Sequence, residues 1–151
     1  MLWMGGPCGI GKTVAAGECV ADCGARYVSF QQLIRDTTQR ERGIVKGAGE
    51  IWHRRYAAQC LVVLDEVGLE EERQKDAARI ALYEFVEVRK RHATPTIVLT
   101  NKDSHSLRAR FASNWYDKRT ASRLKQVLFP DPDTGKQFHD IGGNDMRGGD
   151  L

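Results

Sequence analysis

Apolar and polar positions along the chain form blocks that predict short strands separated by helices. Five apolar runs predict strands: Leu2–Met4, Arg26–Phe30, Cys60–Leu64, Thr96–Thr100 and Gln137–Ile141. The third run is continuously apolar, which is typical of a parallel strand buried on both faces. Strands that alternate with helices in this way predict an α/β domain with a sheet between two helical layers.

Spacings of three and four residues between apolar positions predict the helices. Five segments show this spacing: Thr13–Cys23, 31–39, Glu50–Tyr56, Asp76–Arg91 and Arg119–Leu128. In the first helix the pattern of Ala16, Cys19, Val20 and Cys23 predicts that both cysteines are buried against the sheet, with Gly24 as the C-cap. Three polar or glycine-rich stretches predict exposed segments: the mobile loop 40–49, Glu70–Arg73 and the flexible tail 142–151.

Charge and composition narrow the class of protein without identifying it. The chain has 151 residues, 41% of them hydrophobic and 28% charged, which predicts one globular domain spanning residues 1–151. No apolar stretch approaches the ~20 residues of a membrane span, and no signal peptide is evident, so we expect no membrane association and a cytoplasmic location. The net charge of +3 permits a nucleic-acid partner but does not require one. The basic run Arg89–His92 suits the C-terminal end of its helix.

The segment Gly6–Thr13 matches the phosphate-binding pattern G-x-x-x-x-G-K-[ST] at every fixed position. Glycines let the backbone curl so that several N–H groups point at one anion, and the following helix directs its positive end at the same place. Lys12 is expected to contact the β- and γ-phosphates, and Thr13 to bind Mg²⁺. A glycine-rich turn with a chance lysine is the alternative, which the strand before it and the helix after it disfavour. The predicted nucleotide-binding residues of this loop are Gly6, Pro7, Cys8, Gly9, Ile10, Gly11, Lys12, Thr13 and Val14.

Polar residues at the ends of two predicted strands supply further candidate chemistry. Asp65 is placed to hold Mg²⁺ through its water shell, and Glu66 to orient or deprotonate the attacking water. Asn101, at the end of the next strand, could bridge that water and the γ-phosphate. Arg123 could reach the γ-phosphate of a neighbouring subunit. The alternatives are a strand that merely ends in acids, a turn-forming asparagine and a surface arginine.

Four segments together resemble the AAA+ ATPases: Gly5–Thr13, Leu61–Gly68, Pro95–Lys102 and Ala121–Leu124. The closest resemblance is to the branch that contains replicative-helicase loaders of the DnaC type, including phage versions, and transposition helpers of the IstB type. It implies a three-layer α/β/α P-loop NTPase with a mainly parallel five-stranded sheet of order 5-1-4-3-2 and no helical lid domain.

The resemblance also implies cofactors, partners and residue roles. ATP and Mg²⁺ would be bound between subunits of a homo-oligomer, with Lys12, Glu66, Asn101 and Arg123 as catalytic residues, Thr13 and Asp65 at the metal, and Arg147 at the nucleotide. A replicative helicase and single-stranded DNA are the implied partners. Candidates for DNA contact are the basic residues Arg40, Arg42, Lys46, Arg54 and Arg55.

Two departures from the branch leave alternatives open. The chain starts inside the first strand, so we expect it to lack the helicase-binding N-terminal region and the adenine contacts that precede that strand. A nucleotide-binding fragment without activity is therefore one alternative to a helicase loader, and an IstB-like transposition helper is another. A small-molecule kinase is disfavoured, because the pair Asp65 and Glu66 suits the activation of water.

Overall fold

Strands and helices alternate along the chain as the hydrophobic pattern predicts. The structure, a computed structural model, describes residues 1–103, 105–107 and 109, and the backbone of residues 138–140. The strands are β1 Leu2–Gly5, β2 Arg26–Ser29, β3 Val62–Asp65, β4 Thr96–Thr100 and β5 Phe138–Asp140. The helices are α1 Lys12–Cys23, α2 Phe30–Glu41, α3 Ala48–Trp52 and α4 Lys75–Arg91. A π-helical turn, His53–Ala57, continues α3, and a 3₁₀ turn, Glu72–Gln74, precedes α4.

The strands form one parallel sheet in the order β2-β3-β4-β1-β5. The order β1-β4-β3-β2 of the four strands whose side chains are described agrees with the prediction, and the short β5 pairs with β1. Because parallel strands end at the same edge of a sheet, the segments that follow β1, β3 and β4 come together there. Gly5 lies opposite Thr100, so the glycine-rich loop begins beside Asn101.

Helices cover both faces of the sheet, which gives the predicted three layers. On one face Trp3, Leu64 and Val98 pack with buried side chains of α2 and α4, such as Leu33 and Phe85. On the other face Val63 and Leu99 pack against Ala16 of α1. Both faces of β3 are therefore buried, as the continuous apolar run predicts, although the strand begins at Val62 and Cys60 is exposed.

The prediction that α1 buries its cysteines is wrong. Cys19 and Cys23 are both exposed, as are the other two cysteines of the chain. The face of α1 that meets the sheet carries Lys12, Ala16 and Val20, which follow one another at intervals of four residues. This face is narrower than the apolar stripe read from the sequence, so residues three positions away fall outside the contact. Gly24 ends the helix in the left-handed region, with φ 62°, as predicted.

Two further corrections concern charged residues that the sequence places in solvent. Glu70 is buried, although the run Glu70–Arg73 predicts a solvated loop. Arg89 is also buried, although its basic neighbours suggest an exposed helix end. The predicted loop 40–49 is shorter than expected, because α2 extends to Glu41 and α3 begins at Ala48.

The helix α4 confirms its prediction, since Ala78, Ala81, Leu82 and Phe85 are fully buried on one face. No helix in the described part of the chain is long and apolar enough to cross a bilayer. The predicted helix Arg119–Leu128 and the tail 142–151 lie outside the described residues.

Candidate nucleotide-binding site

The glycine-rich loop has a backbone conformation that depends on its glycines. Gly6, Gly9 and Gly11 have φ values of 150°, 85° and 84°, which side-chain-bearing residues rarely adopt. Gly11 is also the N-cap of α1, and no side chain caps this end of the helix. The first N–H groups of the twelve-residue helix therefore remain directed into the loop, where an anion can accept from them.

Lys12 is folded back onto the loop that precedes it. Its Nζ donates to the carbonyl oxygens of Gly6 at 2.8 Å and Pro7 at 2.7 Å, and the side chain is only 7% exposed. The ammonium group thus lies inside the curve of the loop, held by neutral acceptors. A phosphate group entering the loop would offer a charged acceptor at the same place, and hydrogen bonds to ionised acceptors are the stronger kind.

Asp65, at the end of β3, accepts hydrogen bonds from three described residues, which lie in α1, in β2 and in the turn after β3. Its Oδ2 accepts from Thr13 Oγ1 at 2.9 Å and from the Tyr27 hydroxyl at 2.5 Å, and its Oδ1 accepts from the backbone N–H of Glu66 at 2.7 Å. The carboxylate is buried. Burial and the hydrogen bond to Asp65 raise the pKa of Tyr27 above its usual value, so the phenol remains a protonated donor.

This donor arrangement fits a magnesium ion better than a softer metal. Thr13 gives its proton to Asp65, so its oxygen lone pairs stay available to a cation. Mg²⁺ prefers oxygen ligands and is usually held by one or two carboxylates together with substrate phosphates. Within the described residues, no group of three or more histidine, cysteine or acidic side chains could hold a metal by itself. The residues present therefore fit Mg²⁺ that arrives with a nucleotide.

The segment after Asp65 is tightly fixed and presents Glu66 to solvent. Glu66 has a φ of 64°, which is uncommon for a residue with a side chain. The next residues are held by hydrogen bonds from Val67 N–H to the Leu99 carbonyl, at 3.2 Å, and from Gly68 N–H to Glu70 Oε2, at 2.9 Å. The buried Glu70 side chain therefore closes the turn by accepting from the Gly68 N–H. The Val67–Leu99 hydrogen bond joins the same turn to β4.

The loop, Glu66 and Asn101 enclose one cavity of about 660 Å³, within the range of about 300–1,000 Å³ typical of small-ligand sites. The residues that line it are Cys8, Gly9, Ile10, Gly11, Lys12, Thr13, Val14, Ala15, Glu18, Asp65, Glu66 and Asn101. Gly6 and Pro7 contribute the carbonyls that hold Lys12. Arg123 and Arg147 lie outside the described residues.

Sequence reasoning missed Tyr27, Ala15 and Glu18. Ala15 and Glu18 lie one and two turns into a helix whose start was predicted, so helical spacing could have indicated them. Tyr27 carries no motif. Only the pairing of β2 with β3, in which Ser29 lies opposite Asp65, brings its hydroxyl to the carboxylate.

The five basic residues proposed for DNA contact fall into two groups. Arg40 pairs with Glu84 and lies over the Trp52 ring, 4.8 Å from its centroid. Arg55 pairs with Asp36 at 2.7 Å, and this hydrogen bond raises the pKa of Arg55. The remaining three, which are exposed, are Arg42, Lys46 and Arg54.

Comparison with known proteins places this site in a recognisable fold. No protein-family model and no curated protein matches the chain. Among solved structures, the chain is similar to a DNA replication initiation factor, with a TM-score of 0.66 and 18% identity over 97% of this chain and 41% of that chain. It is also similar to the replication initiator DnaA bound to AMPPCP and single-stranded DNA, with a TM-score of 0.65 and 18% identity over 95% of this chain and 40% of that chain.

The DnaC helicase loader is also similar, with a TM-score of 0.62 and 18% identity over 93% of this chain and 77% of that chain. The chain thus spans about two fifths of the length of the two initiation proteins. At this identity the likeness shows that the chain shares the α/β fold of these proteins. Function at this level of identity has to be argued from the site.

Proposed function

We propose that this chain binds ATP with Mg²⁺ in the cavity beside α1, hydrolyses it, and acts in DNA replication as a helicase loader. The observation that carries the proposal is the convergence of Lys12, Thr13, Asp65, Glu66 and Asn101 on one cavity. These residues come from three separate strand ends. A chance glycine-rich turn would not bring the acidic residues and the asparagine to the same place.

Each of these residues has a role in the proposed hydrolysis, which its position in the cavity supports. Lys12 exchanges its carbonyl partners for the β- and γ-phosphates, and the uncapped N–H groups of α1 bind the same anion. Thr13 and Asp65 hold Mg²⁺, which would neutralise charge on the phosphates. Glu66 orients the attacking water or accepts its proton, and Asn101 contacts the γ-phosphate end of the cavity.

Two arginines complete the proposal from sequence alone. Arg123, in the Ala121–Leu124 segment, would act on ATP bound to a neighbouring subunit of a nucleotide-dependent homo-oligomer, and Arg147 would contact the nucleotide. Mixing Arg123→Ala with Glu66→Gln should restore turnover, because each protein supplies what the other lacks at a shared interface. Absence of rescue would contradict a role in trans.

The turn between α2 and α3 is the proposed contact with single-stranded DNA. It places Arg42 and Lys46 in solvent together with Ile44 and Val45, whose side chains are 63% and 40% exposed. Arg54 is exposed on the following π-helical turn. Cations attract the phosphate backbone, and apolar side chains offer contacts to unstacked bases. Among the proteins that share this fold, DnaA has been solved with single-stranded DNA, and DnaC is a helicase loader.

The proposal is tested by measuring ATP hydrolysis with and without single-stranded DNA. We expect DNA to stimulate hydrolysis, Lys12→Ala to lose nucleotide binding, and Glu66→Gln to keep binding but lose turnover. The matched controls are Lys90→Ala and Glu72→Gln, which change exposed residues outside the cavity and should behave as wild type. Hydrolysis that DNA does not affect would contradict the replication role. Recovery of a transposase instead of a replicative helicase in a pull-down would favour a transposition helper.

A further inference from the structure

The hydroxyl of Tyr27 is a side-chain donor to Asp65 that the phosphate-binding motif does not account for. We propose that Tyr27 is a positioning residue for Mg²⁺, which holds the Asp65 carboxylate in the orientation that the ion requires. This inference rests on the proposed function, because the ion accompanies the nucleotide.

The placement of Tyr27 follows from the sheet. In the parallel pairing of β2 with β3, Tyr27 lies opposite Val63 and Ser29 lies opposite Asp65. Residues two apart on a strand share a face, so Tyr27 and Asp65 project from the same side of the sheet, the side that α1 covers. The long phenol side chain spans the two-residue offset along the strands and ends on Oδ2 of Asp65, at 2.5 Å.

Two donors share one oxygen of the carboxylate. Oδ2 accepts from both Thr13 and Tyr27, while Oδ1 accepts from the Glu66 N–H. Thr13 has a second task in the proposed function, since its oxygen must also face Mg²⁺. If the Tyr27 hydroxyl is removed, Thr13 is left as the one side-chain donor to Asp65 among the residues that the structure describes, and the carboxylate gains freedom to rotate away from it.

Tyr27 contacts the carboxylate without lining the cavity. It is absent from the residues that line the 660 Å³ cavity, whereas Thr13 and Asp65 are among them. Its hydroxyl therefore does not occupy the space of the phosphates or of the ion. This position distinguishes a positioning residue from a competitor, because a competitor would have to be displaced when Mg²⁺ binds.

Loss of the Tyr27 hydroxyl should therefore change the Mg²⁺ dependence of nucleotide binding without changing the affinity for nucleotide in the absence of Mg²⁺. In Tyr27→Phe we expect the Mg²⁺ concentration for half-maximal stabilisation of bound nucleotide to rise about three- to tenfold, which corresponds to roughly 0.7–1.4 kcal/mol. Nucleotide affinity in EDTA should stay at the wild-type value, because the loop and Lys12 are untouched. The ring remains in place, so the variant keeps the packing of β2.

The test is a titration of the full 151-residue chain with a fluorescent ADP analogue, first in EDTA and then against increasing Mg²⁺. The matched control is Tyr56→Phe, which removes another phenol hydroxyl that donates to a carboxylate, that of Asp36, at 2.7 Å. A structural loss lowers the melting temperature of either variant, but only Tyr27→Phe should shift the Mg²⁺ midpoint.

Each contrary result has its own meaning. An unchanged Mg²⁺ midpoint in Tyr27→Phe, alongside Mg²⁺-dependent binding by the wild type, overturns the inference alone. A lower midpoint shows that Tyr27 competes with the ion and also overturns it. A wild-type chain that binds no nucleotide under any condition overturns the proposed function and this inference together.

Discussion

Replacing Arg89 with methionine tests how much a buried cation contributes to the stability of the sheet at the edge opposite the candidate site. Arg89 is 1% exposed, and its guanidinium donates to four oxygens. Two acceptors lie just before β3, the carbonyls of Tyr56 at 3.2 Å and Gln59 at 2.6 Å. The other two lie at the start of β4, the Pro95 carbonyl and Thr96 Oγ1, the latter at 3.0 Å. The side chain therefore joins the ends of the strands opposite to Asp65 and Asn101.

The size of the effect follows from which acceptors can recover water. The bonds to Tyr56 and Thr96 are buried, whereas those to Gln59 and Pro95 are partly open to solvent. A buried group that loses its partner costs about 1–3 kcal/mol, so two such groups cost about 2–6 kcal/mol. Part of this is offset, because burial disfavours the charge and lowers the pKa of Arg89. We expect Arg89→Met to reduce the free energy of unfolding by about 2–4 kcal/mol.

Urea unfolding followed by circular dichroism measures this difference. Arg89→Lys should give a smaller loss than Arg89→Met, because an ammonium group can reach some of the four oxygens but lacks the planar fork. The matched control is Arg91→Met, two residues along the same helix and exposed, which should stay within about 0.5 kcal/mol of wild type. If Arg89→Met unfolds at the wild-type midpoint with the same slope, the carbonyl contacts contribute nothing and the reasoning is refuted.

The other predictions concern the turn after β3, two glycines and the basic surface. Glu70→Ala should lower turnover on the order of 10- to 100-fold by releasing the turn that places Glu66, while Glu70→Gln, whose amide oxygen can still accept from Gly68, should retain most of it; equal loss in both would contradict this. Gly17→Ala should raise the free energy of unfolding by about 0.5–1 kcal/mol, because a Cβ there meets nothing within 4 Å. Gly68→Ala should instead lower the free energy of unfolding, because φ there is +92° and a Cβ would lie 3.3 Å from Lys102 Cγ. Urea unfolding measures both glycine variants. Each lost phosphate contact should reduce the salt slope of single-stranded DNA binding by about 0.7, measured on glutamine variants of Arg42, Lys46 and Arg54.

Residues whose backbone conformation admits few side chains could be predicted from the sequence. Gly6 and Gly11 take positive φ values, and their spacing with Lys12 identified the phosphate-binding loop before any fold was known. The apolar run before Asp65 likewise predicted a strand buried on both faces. The strand order came from the resemblance to AAA+ ATPases, since no local pattern specifies which strands are neighbours. Arg123 and Arg147 stay predictions.

Residues whose environment depends on distant parts of the chain could not be predicted. Arg89 lies in a run of basic residues, and its burial depends on the backbone carbonyls of Tyr56, Gln59 and Pro95, which precede β3 and β4. Glu70 lies in an acidic run, and its burial depends on the turn that closes over it. In both cases charge indicated solvent, while hydrogen bonds to the backbone made burial possible. Cys19 shows the opposite error, since its apolar character indicated burial and it is exposed. A helix buries only those side chains that face the neighbouring elements.

Asp65 marks the boundary between these two kinds of residue. Its position after an apolar strand made it a candidate metal ligand, and Thr13 follows from the loop motif. Tyr27 belongs to the same hydrogen-bonded group, yet it depends on the register in which β2 and β3 pair, a relation between segments separated by α2 and α3. A shift of that register by one residue would turn Tyr27 to the other face of the sheet. The orientation of the Asp65 carboxylate therefore depends both on Thr13, which belongs to the loop motif, and on Tyr27, which the pairing of β2 with β3 brings to it. Only the first of these contributions can be predicted from the sequence.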